Sequence, residues 1–277
     1  MKKYTYPSVL TIAGFDGSGG AGIQADIKTF SALGCYATSV LTALPVQNTM
    51  GVQNIYSIPM EAVAEQLEAV LDDIFPHAIK IGMVHNCLLV ETIVKTLKKY
   101  PKIPVVFDPV MVSTSGHWLI EHETVNTIVN KLFPIADLIT PNIDEAGILA
   151  DMEVSTLEDM KVAGQKILES GCNNILLKGG HQKLPVITSL LIEKNGQQTY
   201  FKSEKVLTKN THGSGCTLSS AIAAYLARGE ELNSAVSLAQ KYVFEAIKTG
   251  KDVITGKGNG PLNHFFNPQK LILNEMV

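Results

Sequence analysis

Apolar and polar positions follow two alternating rhythms along this chain. Short apolar runs at residues 9–13, 37–44, 78–83, 105–108, 138–140 and 174–178 have the length and β-branched content of buried strands. Between them, residues 21–33, 60–74, 87–99, 125–133 and 160–169 repeat apolar residues at helical spacing. Strand, helix, strand in this order predicts βαβ units and a mostly parallel sheet covered on both faces, an α/β fold in three layers. The pattern changes to strict alternation over residues 188–201 around Asn195-Gly196, which predicts an antiparallel hairpin at one sheet edge. Two helices, at 218–227 and 234–248, close the pattern. Neither an internal repeat nor a polar linker interrupts it, so residues 1–277 read as one domain.

In a parallel sheet of this kind, ligands bind beyond the carboxyl ends of the strands. Candidate chemistry collects there. Gly14 and the loop to Gly22 follow the first strand, Gln47 the second, Met83 the third, Asp108 and Val110 the fourth, Asn142 and Glu145 the fifth, and Lys178 the next. Gly17-Ser18-Gly19-Gly20-Ala21-Gly22 matches G-x-G-x-x-G, but no Asp or Glu occurs between Asp26 and Glu61 to hold an adenine ribose. A Walker loop fails as well, because Ile27 stands where its second glycine belongs. The other glycine segment, Asn210-Thr211-His212-Gly213-Ser214-Gly215-Cys216-Thr217, runs directly into an apolar helix. Its free N–H groups and the helix dipole predict an anion site, and the same field predicts a lowered thiol pKa at Cys216.

Several residues keep two readings at this level. Asp26, one turn into the first helix, suits either a substrate hydroxyl or the helix dipole. Gln47 suits either an aminated heteroaromatic ring or a turn. Asn142 and Glu145, one turn apart, suit either water around Mg²⁺ or a capping box. His212 suits a turn or a phosphate, and Lys178, Lys209 and Lys257 suit phosphate or solvent.

Composition narrows the partners. Of 277 residues 45% are hydrophobic and 18% charged, and the formal charge is −3 with no basic cluster, which argues for a small-molecule partner over nucleic acid. Cys35, Cys87, Cys172 and Cys216 are scattered, against both a disulfide framework and a zinc site. The apolar run after Lys2-Lys3 is too short for a signal peptide, and no segment approaches the roughly 18 apolar residues of a membrane span. The expected compartment is the cytoplasm.

Taken together, Thr11-Ile12-Ala13-Gly14, Ser18-Gly19-Gly20-Ala21-Gly22-Ile23-Gln24-Ala25-Asp26, Gln47-Asn48-Thr49, Lys80-Ile81-Gly82-Met83, Asp108 with Val110-Met111, Thr140-Pro141-Asn142, Lys178-Gly179-Gly180-His181 and the segment from Lys209 to Thr217 resemble the hydroxymethylpyrimidine/phosphomethylpyrimidine kinases of thiamine biosynthesis. The resemblance extends to Gly256-Lys257-Gly258 and Gly260-Pro261. It implies a ribokinase-like fold, ATP with Mg²⁺, a homodimer, and two successive phosphorylations of 4-amino-5-hydroxymethyl-2-methylpyrimidine. Pyridoxal or pyridoxine kinase of the same subfamily is the alternative. By the same resemblance Gly14, Asp26, Gln47, Met83, Val110 and Cys216 contact the substrate. Asp108, Asn142 and Glu145 serve the metal, and Gly213, Ser214, Gly215 and Cys216 surround the transferring phosphoryl group. Asn142, Lys178, Lys209, Thr211, His212 and Lys257 reach ATP or its phosphates, with Lys178 also at the catalytic centre. Cys216 stands where sugar kinases place an Asp base. Residues 113–118 resemble a flap that carries His117-Trp118 and lacks a lysine.

Overall fold

The computed structural model describes residues 2–111, 119–180 and 185–276. The flap segment and His181 lie outside the described residues. In chain order the strands are β1 (Tyr4–Thr5), β2 (Ser8–Ala13), β3 (Tyr36–Leu41), β4 (Ala43–Asn48), β5 (Gly51–Ser57), β6 (Ala78–Ile81), β7 (Val105–Phe107), β8 (Leu138–Ile139), β9 (Asn174–Leu177), β10 (Val186–Glu193), β11 (Gln198–Glu204) and β12 (Asn274–Glu275). The helices are α1 (Gly22–Ala32), α2 (Met60–Asp73), α3 (Cys87–Leu97), α4 (Thr124–Thr127), α5 (Ile143–Ala150), α6 (Leu157–Glu169), α7 (Ser214–Ala227) and α8 (Leu232–Gly250).

Eight strands form the main sheet in the order β11-β10-β9-β8-β7-β6-β2-β3, and only β10 runs antiparallel to its neighbours. The two-residue side-chain period divides the core between its faces. Leu10, Ile12, Ile79, Ile81, Phe107, Ile175 and Leu177 pack with Val63, Leu67, Leu89, Ile93, Ala146 and Ala163, beneath α2, α3, α5 and α6. Val9, Ala78, Val106, Leu138 and Leu176 pack with Phe30, Ile222 and Val236, beneath α1, α7 and α8. This is the three-layer ribokinase-like arrangement with an antiparallel edge hairpin.

Two elements differ from the sequence pattern. The expected strand at 37–44 stops at Leu41, because Thr42 turns its hydroxyl onto the Met83 carbonyl at 3.0 Å. The chain then leaves the sheet as an antiparallel β4–β5 hairpin, with a register shift between Val46 and Gln47. Its turn at Thr49-Met50 lacks the Asn-Gly signature that marks the edge hairpin. The expected helix at 125–133 is regular only in α4, then widens to a π turn over Ile128–Leu132 and tightens over Phe133–Ile135. Pro134 lacks the N–H that an α-helix would need there.

Candidate active site

The two glycine loops pack backbone against backbone. A Cβ on Gly213 would lie 1.8 Å from the Gly20 carbonyl oxygen, and one on Gly22 would lie 2.3 Å from the Gly14 oxygen. Both glycines have positive φ, +80° and +55°, so neither space nor conformation admits a side chain. Gly213 is the N-cap of α7. The Ser214 N–H turns back to the Thr211 oxygen and the Thr217 N–H to the Gly213 oxygen. The Gly215 and Cys216 N–H groups, which have no partner among the described residues, remain for an anion.

Asp16, absent from the sequence-derived candidates, organises this junction. Its carboxylate accepts from the Ser18 hydroxyl, from the N–H groups of Ser18, Gly20 and Ala21, and from His212 Nε2 at 2.9 Å. Burial opposes its charge, but the bonds from His212, Ser18 and Ala21 prevail and hold the carboxyl well below its usual range. His212 therefore spends Nε2 on the neighbouring loop. The Asp-x-Ser spacing of an Asx turn was its local signal.

Asp26 is placed differently from either sequence reading. It is fully buried, and its oxygens accept from Thr11 Oγ1 at 2.6 Å, Ser220 Oγ at 2.6 Å and Lys80 Nζ at 2.9 and 3.1 Å. These four bonds occupy both carboxylate oxygens, with Lys80 as the buried counterion. Burial disfavours the Lys80 ammonium, yet Asp26, Cys216 and Asp108 together outweigh this and raise its pKa. A lysine in the otherwise apolar strand Ala78-Ile79-Lys80-Ile81 was the available signal.

Cys216 lies in the first turn of α7 beside Gly22, whose N–H faces its sulfur. The expected lowering of its thiol pKa is reversed. Burial pushes it up to about 11, because desolvation exceeds the help from Lys80 and the Gly22 N–H while Asp26 and Asp108 oppose ionisation.

A third group completes the rim. Asp108 is buried; its Oδ1 accepts from Thr140 Oγ1 at 3.0 Å and from Lys178 Nζ at 2.7 Å. Asp108 Oδ2 is buried without a partner among the described residues. Glu145 stands 4.0 Å from Lys178 Nζ. Burial raises the Glu145 pKa and nearby Asp108 adds to this, with Lys178 pulling the other way. Burial likewise disfavours the Lys178 charge, but Asp108 and Glu145 raise its pKa overall. A Cβ on Gly215 would sit 3.2 Å from Lys178 Nζ and 3.7 Å from Asp108 Oδ2, so this cluster borders the free end of α7. Asn142 and Glu145 form a complete capping box at the start of α5, with reciprocal bonds of 2.8 and 2.9 Å. The capping reading is thus realised in the geometry. Among the described residues no three His, Cys, Asp or Glu side chains form a direct metal cage.

The remaining candidates divide. Gly14 approaches Met83 and the base of the hairpin: its Cβ would lie 3.2 Å from Met83 Cε and 3.8 Å from Pro45 Cδ. Gln47 is half-buried on β4, its carbonyl against Gly17. Val110 is half-buried two residues beyond Asp108. Lys209 and Lys257 are exposed, and the structure brings neither to the Asp108 cluster. Lys257 instead belongs to a glycine-rich segment clasped to the hairpin tip, where the N–H groups of Gly258 and Asn259 donate to Thr49.

Such a fold and rim define a class: an α/β protein whose helix N-terminus, set between glycine loops and a lysine–carboxylate cluster, has the donors to receive an anionic ligand. A family profile described as Phosphomethylpyrimidine kinase matches residues 16–263. The chain belongs to the phosphomethylpyrimidine kinase family. It is 44% identical over 257 residues to the thiamine biosynthesis bifunctional protein ThiED of Geobacter sulfurreducens, covering 93% of this chain and 52% of that one. The chain thus spans about half the length of the bifunctional relatives it matches. It is 41% identical over 258 residues to the hydroxymethylpyrimidine/phosphomethylpyrimidine kinase of Staphylococcus aureus, covering 92% of each. The crystal structure of phosphomethylpyrimidine kinase from Clostridium difficile 630 superposes with a TM-score of 0.76 at 44% identity, over 87% of this chain and 99% of that one. The pyridoxal kinase from S. aureus in complex with AMP-PCP and pyridoxal gives 0.86 at 30% identity, over 98% and 100%. No helix among the described residues is long and apolar enough to cross a membrane.

Proposed function

We propose that this chain is a single kinase domain that transfers the γ-phosphoryl group of ATP to the hydroxymethyl group of 4-amino-5-hydroxymethyl-2-methylpyrimidine, and then to the resulting monophosphate. The carrying observation is the convergence of the free α7 N–H groups, Lys178 and the unpartnered Asp108 Oδ2 on one point beside the Gly14 to Gly22 loop. Phosphoryl transfer needs mainly alignment and charge stabilisation, which these groups supply. Gly14, Met83, Gln47 and Val110 form the ring side of the site, where the Gln47 amide suits an aminopyrimidine edge. Gly213, Ser214, Gly215 and Cys216 form the phosphoryl side, with Thr211 and Lys178 toward ATP. Lys209 and Lys257 reach ATP only if their exposed side chains swing inward.

The donor set fits Mg²⁺ held through water, since magnesium retains several waters and Asp108 Oδ2 and Glu145 offer buried carboxylate oxygens. Bound there, the ion would neutralise phosphate charge. Cys216 is the candidate proton acceptor for the hydroxymethyl group only as its thiolate; its raised pKa means that the free protein holds it as a thiol near neutral pH, so the thiol proton must pass to solvent before the sulfur takes up the hydroxymethyl proton. Pyridoxal phosphorylation is the second reading, supported by the close superposition on a pyridoxal-bound kinase. A homodimer is the expected assembly, and the exposed Leu44, Val46, Met50 and Tyr56 of the hairpin offer apolar area for it; light scattering that returns a monomer would oppose this.

The deciding assay is ADP release with the hydroxymethylpyrimidine, its monophosphate and pyridoxal, each with ATP and with or without Mg²⁺. Turnover of both pyrimidines is expected. Turnover of pyridoxal alone would transfer the chain to the second reading, and turnover of none would remove both.

A further inference from the structure

Two backbone loops must keep a fixed relation if the phosphoryl hole on α7 is to face the substrate held by the first loop. We propose that Asp16 and His212 are the positioning residues that set this relation, an inference that rests on reading the α7 N-terminus as the phosphoryl site. Asp16 is 1% exposed and belongs to the substrate loop, where its own N–H donates to Gln24 Oε1 at 2.8 Å and its carboxylate gathers the Ser18, Gly20 and Ala21 amides. That side of the loop is fastened to α1. The other side of the clasp is His212, the residue immediately before the α7 N-cap Gly213. Because a carboxylate only accepts, Nε2 must carry the proton of the 2.9 Å bond to Asp16 Oδ2. The imidazole also lies on Gly20: a Cβ there would be 2.5 Å from His212 Cδ2.

This bond is the side-chain tie between the loops, and Gly213 against the Gly20 carbonyl is the backbone stop. Together they fix both sliding and separation. The Gly215 and Cys216 N–H groups follow rigidly, since they lie two and three residues along α7 from Gly213. Neither Asp16 nor His212 need touch the reacting atoms. A displacement of about 1 Å in such a site costs on the order of 10²-fold in rate, so releasing the clasp should lower kcat much more than it alters substrate binding.

The test uses the full chain with Mg²⁺-ATP and hydroxymethylpyrimidine, comparing Asp16→Asn, His212→Ala, His212→Gln and the Asp16→Asn/His212→Ala double variant. Binding of ADP alone and of ADP with aluminium fluoride, a planar phosphoryl mimic, is measured by calorimetry on each. The expected result is that Asp16→Asn and His212→Ala each lose about 10²-fold in kcat with KM for the pyrimidine within about threefold. Both keep ADP affinity but lose the extra affinity conferred by aluminium fluoride. The double variant is no worse than the weaker single one, and His212→Gln, which restores an N–H donor, recovers part of the loss. Equal weakening of both ADP forms, losses that multiply in the double variant, or a kcat loss that only follows the folded fraction would overturn the proposal. If wild-type protein gains no affinity from aluminium fluoride, the phosphoryl-hole reading fails and the clasp proposal with it. A gain that persists undiminished in the variants removes the clasp alone.

Discussion

Cys216 sits where two fields oppose each other. The helix end and Lys80 favour a thiolate, whereas loss of solvent and the carboxylates of Asp26 and Asp108 disfavour it, and burial wins. In the ligand-free protein the rate of Cys216 alkylation by iodoacetamide should therefore rise through about pH 11; a midpoint near pH 8.5 would contradict the burial argument. Cys216→Ala should lower kcat by about 10²- to 10⁴-fold while KM changes little, the scale of a lost proton-transfer group. Unchanged turnover would take the proton-accepting role from Cys216. Lys80 makes a different prediction. Lys80→Met leaves Asp26 as an unpaired buried charge and should destabilise the protein by about 3–5 kcal/mol, read from urea unfolding, with Asp26→Leu added in the same chain recovering much of the loss. The residue types of this pair were visible in the sequence. Their pairing was not, because 54 residues separate them and only the register of β2 with β6, under α1 and α7, makes them neighbours.

At the scale of elements, α7 depends on a junction without side chains. Gly213→Ala puts a methyl group into the Gly20 carbonyl and forces φ = +80° on an alanine. It should abolish turnover and lower the thermal midpoint, whereas Gly180→Ala, with nothing among the described residues within 4 Å of the added methyl, should fold normally. Equal thermal midpoints for the two variants would contradict this account. The α7 start, the βαβ order and the edge hairpin were legible because glycine punctuation and residue period are local. The β4–β5 hairpin was not legible: Pro45 demotes its strand and Thr49-Met50 gives no turn signal, so its shape comes from long-range contacts. Thr49 is fixed by the N–H groups of Gly258 and Asn259, about two hundred residues away.

Over the whole molecule, the segment after α8 returns to both ends of the fold. Gln269 and Ile272 donate to the Ala32 and Gly34 carbonyls, and β12 pairs with β1. His264 is buried beneath the first turn of α7, with Nε2 3.1 Å from Thr217 Oγ1. Burial, helped by the Lys28 charge, lowers its pKa from 6.5 to about 4. Between these values the unfolded chain binds a proton that the folded chain excludes, so stability present above about pH 6.5 is lost as pH falls toward 4. His264→Gln should flatten the dependence of thermal midpoint on pH across this window; an unchanged slope would assign acid sensitivity elsewhere.

By itself the sequence determined the three-layer class, the strand-end rim and the glycine cradle, since periodicity, turn residues and helix-end N–H groups are properties of short segments. Its family motifs also implied Asp108, Asn142 and Glu145 as metal candidates and Lys178 as a catalytic and phosphate-binding candidate. Only the tertiary structure decided what these groups do to one another. It placed Asp26 under the site as the Lys80 counterion, formed the capping box beside Lys178, and raised the Cys216 pKa instead of lowering it. It also joined Asp16 to His212 across 196 residues. Burial and charge pairing are fixed by neighbours remote in sequence, and those neighbours exist only once the sheet is assembled.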